Sequence, residues 1–231
     1  MISFYEKAGA VEIQERLSAH PLWLAAVRDA AARLAAKAPL PVKAARFPIL
    51  FVTGLEDLVM DVGTPSFSRF MAWVRLVKLW AALRSDDTEG LVPRDLRLTT
   101  TGMEGLLQRT KTSGPGRKHR YLPFYVHKKA YLLHPGWLQT GFELLSNGPY
   151  AYPRDYLVPV ADTDYTGPVQ RMARYSDRAI YGRKVLQALH PPGLPDAAYS
   201  YLAAFPQAAS FWTEHSERNF LPTIAALMGF D

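Results

Sequence analysis

A chain of 231 residues that is 48% hydrophobic and 12% aromatic holds enough apolar material for a sizeable core, which excludes a disordered or fibrous protein. Its 27 basic residues outnumber 21 acidic ones for a net charge of +6, so a polyanionic partner has to be considered, nucleic acid first. The absence of cysteine excludes a disulfide scaffold, a thiolate metal site and a cysteine nucleophile.

The N-terminal MISFYEKAGAVEIQERL carries charges too early for a secretory signal, and no apolar run approaches the roughly 18 residues of a membrane span, which predicts an intracellular chain. Pro21 to Ala38 is alanine-rich, with Leu24, Val27, Ala31 and Leu34 at helical spacing and a proline suited to a first helical position. A helix is predicted there, closed by Pro39 and Pro41. The proline-rich stretch from Pro39 to Phe51 reads as a linker, which puts a boundary near residue 38 and separates a helical segment, 1–38, from a main domain, 39–231. Ser68 to Arg84 has Phe70, Trp73, Val74, Val77 and Trp80 on one face and Met71, Leu76, Leu79 and Leu83 on the others. Such a helix is buried nearly all round.

Strand-type alternation follows at 96–100, 105–110 and 120–126, with Ser113, Gly114, Pro115 and Gly116 between the last two, and predicts a small antiparallel sheet. Helices are expected over Pro135 to Ser146, Val169 to Leu189 and Thr213 to Met228, the last kinked or interrupted by Pro222. Asn147 to Pro168 reads as a long surface loop. The fold class is mainly α with a small antiparallel β-sheet (α+β).

The charge is concentrated in one place. Between Arg69 and Lys129 stand 13 basic and 5 acidic residues, more than the net charge of the whole chain. Gly105 to Lys129 holds Arg109, Lys111, Arg117, Lys118, Arg120, Lys128 and Lys129, adds His119 and His127, and has no acidic residue. This stretch is either a solvated hairpin whose lysines discourage strand addition or a surface for the phosphates of nucleic acid.

Four residues on different predicted elements suit a phosphodiester: Arg84, Lys111, His215 and Arg218. Arg84 ends the most hydrophobic helix, where a permanent charge needs an anion, a carboxylate such as Asp86 or Asp87, or the helix dipole. Lys111 lies near the tip of the basic hairpin, where a lysine is ordinarily solvated. His215 and Arg218 are one helical turn apart and share a side of their helix.

In ALRSDDTEGLVPRDLRL, Arg84 is followed by Asp87 three residues on, Leu91 at seven, Asp95 at eleven and Leu96 at twelve. In this pattern the chain resembles the catalytic domain of tyrosine recombinases, or phage-type integrases, whose first arginine box has that spacing. His215, Ser216, Glu217 and Arg218 resemble the family's HxxR box, with Gly229 eleven residues after the arginine. Arg109 to Val126 is similar to the family's β-hairpin, with Lys111 at the position of its lysine. The wording WxxLRxDD, RTKTSGPG and FWTEHSxR, seen at Trp80 to Asp87, Arg109 to Gly116 and Phe211 to Arg218, is similar to recombinases of Crypton-like and DIRS-like eukaryotic mobile elements.

The resemblance covers about residues 39 to 231 and implies Arg84, Lys111, His215 and Arg218 as catalytic residues, with Asp87 in structural support. It further implies DNA contacts from Arg109, Arg117, Lys118, His119, Arg120, Lys128 and Lys129. The implied partner is duplex DNA rather than a membrane, with self-association on DNA in the full-length protein, no cofactor and no metal, and a nuclear location in a eukaryote. Residues 1–38 would be the tail of a helical DNA-clamping domain.

The chain departs from the pattern at Glu217, where many bacterial relatives are apolar, and at Asn219, which replaces their second histidine. The family's nucleophilic tyrosine lies beyond the HxxR arginine, and no tyrosine follows Arg218, so the catalytic domain is expected to be incomplete at its C-terminus. The alternatives are a catalytically dead remnant that holds DNA, a type IB topoisomerase, and a basic protein-interaction module without DNA.

Overall fold

The apolar run around Trp73 sits at the centre of the architecture. The computed structural model describes residues 2–37, 45–108, 121–190, 206–212 and 214–229. Two units are present, Met1–Lys43 and Ala44–Asp231.

In the first unit, α1 (Ile2–Ala8) and α2 (Pro21–Lys37) are joined through two 3₁₀ turns at 13–15 and 17–19. Glu6 holds the join: its carboxylate accepts the Ser18 hydroxyl and, at 3.2 Å, the Ser18 amide. The Ser18 hydroxyl is the main reason that the Glu6 carboxyl lies below its usual pKa range. The helix α2 starts at Pro21, as its sequence predicts, because a missing N–H costs nothing in the first turn.

In the second unit, α3 (Ile49–Met60) and α4 (Ser66–Trp80) pack together, and α6 (Trp137–Ser146) and α7 (Tyr175–Gln187) also lie on α4. Phe67, Phe70, Met71, Ala72, Trp73, Val74, Leu76, Val77 and Leu79 of α4 are all buried. Each large apolar side chain so removed from water contributes about 1.5–3 kcal/mol. Helix α6 approaches α4 so closely that a Cβ on Gly141 would lie 1.9 Å from Trp73 Cδ1.

The expected helix to Arg84 ends earlier, at Trp80, because Ala82 takes a left-handed conformation (φ 51°). The Ala82 amide donates to Leu79 O and the Leu83 amide to Lys78 O, at 3.2 and 2.9 Å, which is the bonding of a Schellman turn. The chain then restarts as α5 (Ser85–Glu89), with Arg84 as its N-cap.

The strands β1 (Arg97–Leu98), β2 (Gly102–Leu107) and β3 (Leu122–His127) form an antiparallel sheet in the order β1-β2-β3, with Gly102 opposite His127 and Leu107 opposite Leu122. The expected three strands are present with shifted ends, and residues 109–120 between β2 and β3 lie outside the described residues. Where a loop was expected at 147–168 and a helix from Val169, a second hairpin forms instead, β4 (Pro159–Ala161) with β5 (Pro168–Met172). Its turn is closed by Asp162, whose carboxylate accepts the Thr166 amide and hydroxyl and the Gly167 amide at 2.7–2.8 Å. Strands of three and five residues are too short to announce themselves by alternation. The expected helix over 213–228 is split at Asn219 into α8 (Glu214–Arg218) and α9 (Phe220–Leu227), which leaves Pro222 in the first turn of α9 where its missing N–H is harmless. The second unit is thus mainly α with a small antiparallel sheet and an added hairpin.

Two outcomes follow from this packing. Gly141→Ala must push Trp73, which is fully buried, out of place and lower stability by about 1–3 kcal/mol in urea denaturation. Burial pushes the hydroxyls of Tyr150 and Tyr152 well above their ordinary value of 10.0, and Tyr150 stacks on Phe70 at 4.5 Å. The unfolded chain ionises first, so their contribution is complete below about pH 10 and declines as pH rises above it. Tyr150→Phe should flatten the fall in denaturation midpoint as pH rises above about 10.

Candidate phosphate site and nucleic-acid interface

Arg84 is half-buried at the start of α5. The spacing to Asp87 has a local cause: the Asp87 carboxylate accepts the Arg84 amide at 2.8 Å, while the Asp87 amide donates to Arg84 O at 3.1 Å. Asp87 therefore caps the helix and leaves the guanidinium alone. Among the described residues neither Asp86 nor Asp87 forms an ion pair with Arg84. The later motif positions also have structural roles. Leu91 and Leu96 are core residues, and Asp95 accepts a hydrogen bond from Gln108, just beyond β2.

His215 and Arg218 both fall on α8, and Arg218 is exposed. Between them Ser216 and Glu217 are fully buried. Glu217 meets two cations of α4, Arg75 through Oε1 and Lys78 through Oε2 at 2.6 Å, and all three side chains are at most 8% exposed. In that low-dielectric setting the pairing is what makes three buried charges tolerable. Arg75 also donates to Gly182 O on α7 and lies over the Phe47 ring.

A second buried arginine completes the surroundings of Arg84. Arg178 of α7 donates to Ser85 O at 3.2 Å and to Thr88 Oγ1 at 3.0 Å, and pairs with Glu89, so it grips α5 along its whole length. Lys78 lies 3.5 Å from Ser85 Oγ. These polar groups line a cavity of about 180 Å³ whose wall includes Arg75, Lys78, Thr88, Arg178, Gly182 and Glu217. The structure thus brings the side chains of Ser85, next to Arg84, and Glu217, next to Arg218, onto one lysine.

Arg109, Lys111, Arg117, Lys118, His119 and Arg120 lie outside the described residues. Lys128 and Lys129 are exposed in the turn after β3, where Lys128 Nζ donates to Thr100 O at 2.7 Å. The segment that follows is anchored by Glu56, a fully buried carboxylate of α3 that accepts the amides of Leu132, Leu133 and His134 at 2.7–2.9 Å. Sequence reasoning overlooked Arg75, Lys78, Arg178 and Glu56. A signal existed for the first two: they are charges three positions apart in a run, Phe70 to Trp80, whose other residues are all apolar. Among the described residues no group of three metal-ligating side chains occurs, and no helix is long and apolar enough to cross a membrane.

No protein-family model matches the chain. No curated protein matches it in sequence. Among solved structures, an FLP recombinase in complex with a Holliday junction is similar to it, with a TM-score of 0.46 and 12% identity over 88% of this chain. The match takes in 49% of that protein, so the chain spans about half its length. This is a weak resemblance to the tyrosine-recombinase-like fold.

Because Glu217 neutralises two buried cations, Glu217→Ala should cost about 3–5 kcal/mol in chemical denaturation. Replacing all three charges together, Arg75→Met and Lys78→Met with Glu217→Leu, should recover most of that loss, since no charge is left unpaired.

Proposed function

We propose that this chain is the DNA-binding catalytic domain of a DNA strand-breaking and rejoining enzyme of the tyrosine-recombinase type, of the kind found in Crypton-like and DIRS-like mobile elements. Its role would be DNA recombination and integration. Residues 39–231 form the catalytic domain in this reading, and residues 1–38 belong to a DNA-clamping segment. The observation that carries the reading is the meeting of the two arginine boxes: Ser85, next to Arg84, and Glu217, next to Arg218, both lie at Lys78 Nζ, although the boxes are far apart in the chain.

Two guanidiniums at one phosphate suit a phosphodiester in reaction. A tyrosine hydroxyl attacking phosphorus adds negative charge to the non-bridging oxygens, and each guanidinium can donate two parallel charge-assisted hydrogen bonds while remaining protonated. Arg84 and Arg218 take that role. His215 hydrogen-bonds the same phosphate or moves the proton of the nucleophile, and Lys111 gives a proton to the departing 5′ oxygen as its bond to phosphorus breaks. The product is a 3′-phosphotyrosine that conserves the bond for rejoining. None of the four residues is itself a nucleophilic oxygen, so what they supply is phosphate binding, charge stabilisation and proton transfer.

The acid-free stretch from Gly105 to Lys129 supplies the electrostatic part of binding. Reversing Arg117, Lys118 and Arg120 to Glu should weaken binding to duplex DNA and flatten its dependence on salt in a filter-binding series. Unchanged affinity and slope would remove the DNA-binding reading and favour a basic protein-interaction module.

A further inference from the structure

Lys78 is an expensive residue for its position. It is 5% exposed on the helix that forms the centre of the core, where an apolar side chain of the same length would fill the space without desolvating a charge. Its ammonium group has two partners of interest. One is Glu217 Oε2 at 2.6 Å, the residue before Arg218, and the other is Ser85 Oγ at 3.5 Å, the residue after Arg84. We infer that Lys78 is a positioning residue, which sets the separation and orientation of the two backbones that carry Arg84 and Arg218 so that both guanidiniums reach one phosphate.

The inference rests on the reading of those two arginines as phosphate ligands, and the surroundings of Lys78 support it independently. Apolar contacts between helices allow sliding, whereas a charged hydrogen bond specifies a distance and a direction. Lys78 is one member of a closed polar ring. Glu217 of α8 also binds Arg75 of α4, Arg75 donates to Gly182 O of α7, Arg178 of α7 holds Ser85 O and Thr88 of α5, and Ser85 returns to Lys78. The ring passes close to α7 at a glycine: a Cβ on Gly182 would lie 3.0 Å from the Arg75 guanidinium. Four helices are therefore tied together around the cavity, and Lys78 alone among the ring side chains is described as reaching the neighbours of both arginines. A shift of about 1 Å in a phosphate-gripping group can cost a hundredfold in rate, so such a tie has a function beyond holding the core closed.

The absence of cysteine makes the separation directly measurable. Asp86 and Asn219 are exposed and lie two and one residues after the two arginines, so Asp86→Cys with Asn219→Cys, labelled with nitroxides, reports the distance between α5 and the end of α8 by double electron–electron resonance. In the otherwise unchanged chain one narrow peak is expected. Lys78→Met should lose that peak and give a broad distribution, while circular dichroism retains the folded spectrum, and Lys78→Arg, which keeps the charge and its donors, should restore a narrow peak. If Lys78→Met fails to fold, Ser85→Ala takes its place, because it removes one end of the tie and leaves the ion pair with Glu217; it too should broaden the peak. An equally narrow peak in a folded Lys78→Met or Ser85→Ala protein overturns the inference.

Orthovanadate, a mimic of the phosphate in reaction, separates this result from the wider reading. Its binding to the unlabelled chain, followed by vanadium resonance line width, should be lost in Arg218→Ala and weakened about tenfold in Lys78→Met. A broadened distance distribution with no orthovanadate binding by the unaltered chain would discard the arginines as phosphate ligands, and with them the purpose assigned to Lys78. Broadening together with the vanadate loss supports both.

Discussion

Glu217 stands buried between Arg75 and Lys78, and the arrangement of the second unit depends on that contact. A carboxylate in such a place is costly to desolvate, and removing either sign of charge leaves the other exposed to the same penalty without compensation. The pairing therefore admits few alternative placements of α8 against α4. Neighbouring segments inherit the restriction. Arg75 reaches on to α7, and Arg178 reaches from α7 to α5, so charge satisfaction in the interior orients helices that apolar packing alone would leave free to slide.

Around this polar ring the apolar core supplies most of the stabilisation and little of the specificity. The helix α4 is buried on every side, against α3, α6, α7 and the short C-terminal helices. Its end matters as much as its middle. The left-handed Ala82 turns the chain out of α4, and Asp87 then caps α5 so that Arg84 enters at a defined point with its guanidinium unpaired among the described residues. The acidic residue three positions after the arginine is thus explained by helix capping. The same device recurs at α7, where the Asp177 carboxylate accepts the Arg174 amide at 2.9 Å.

The cations fall into two groups. Interior cations are matched by Glu217 and Glu89, whereas the stretch from Gly105 to Lys129 has no acidic residue at all. The first kind sets geometry at low dielectric. The second kind lies in a sequence without any balancing carboxylate, and in the proposed function it supplies the attraction for a polyanion. Glu56 joins the two regions of the fold by holding the backbone just after Lys128 and Lys129 to α3.

Much of this was legible in the sequence. Helical spacing marked α2 and α4, a helix was expected where α6 stands, alternation marked the three-stranded sheet, and the positions of charge marked the basic stretch. All of these depend on interactions within a few residues or on composition, so a linear reading reaches them. The residues with the largest structural leverage were not legible in this way. Lys78, Arg75 and Arg178 drew no reading from the sequence, and the β4–β5 hairpin was expected as the end of a loop and the start of a helix. Their roles depend on partners distant in the chain and on the loss of water around them. Only the tertiary structure, by bringing Glu217 to α4 and α5 to α7, decided which charges became a framework and which remained on the surface.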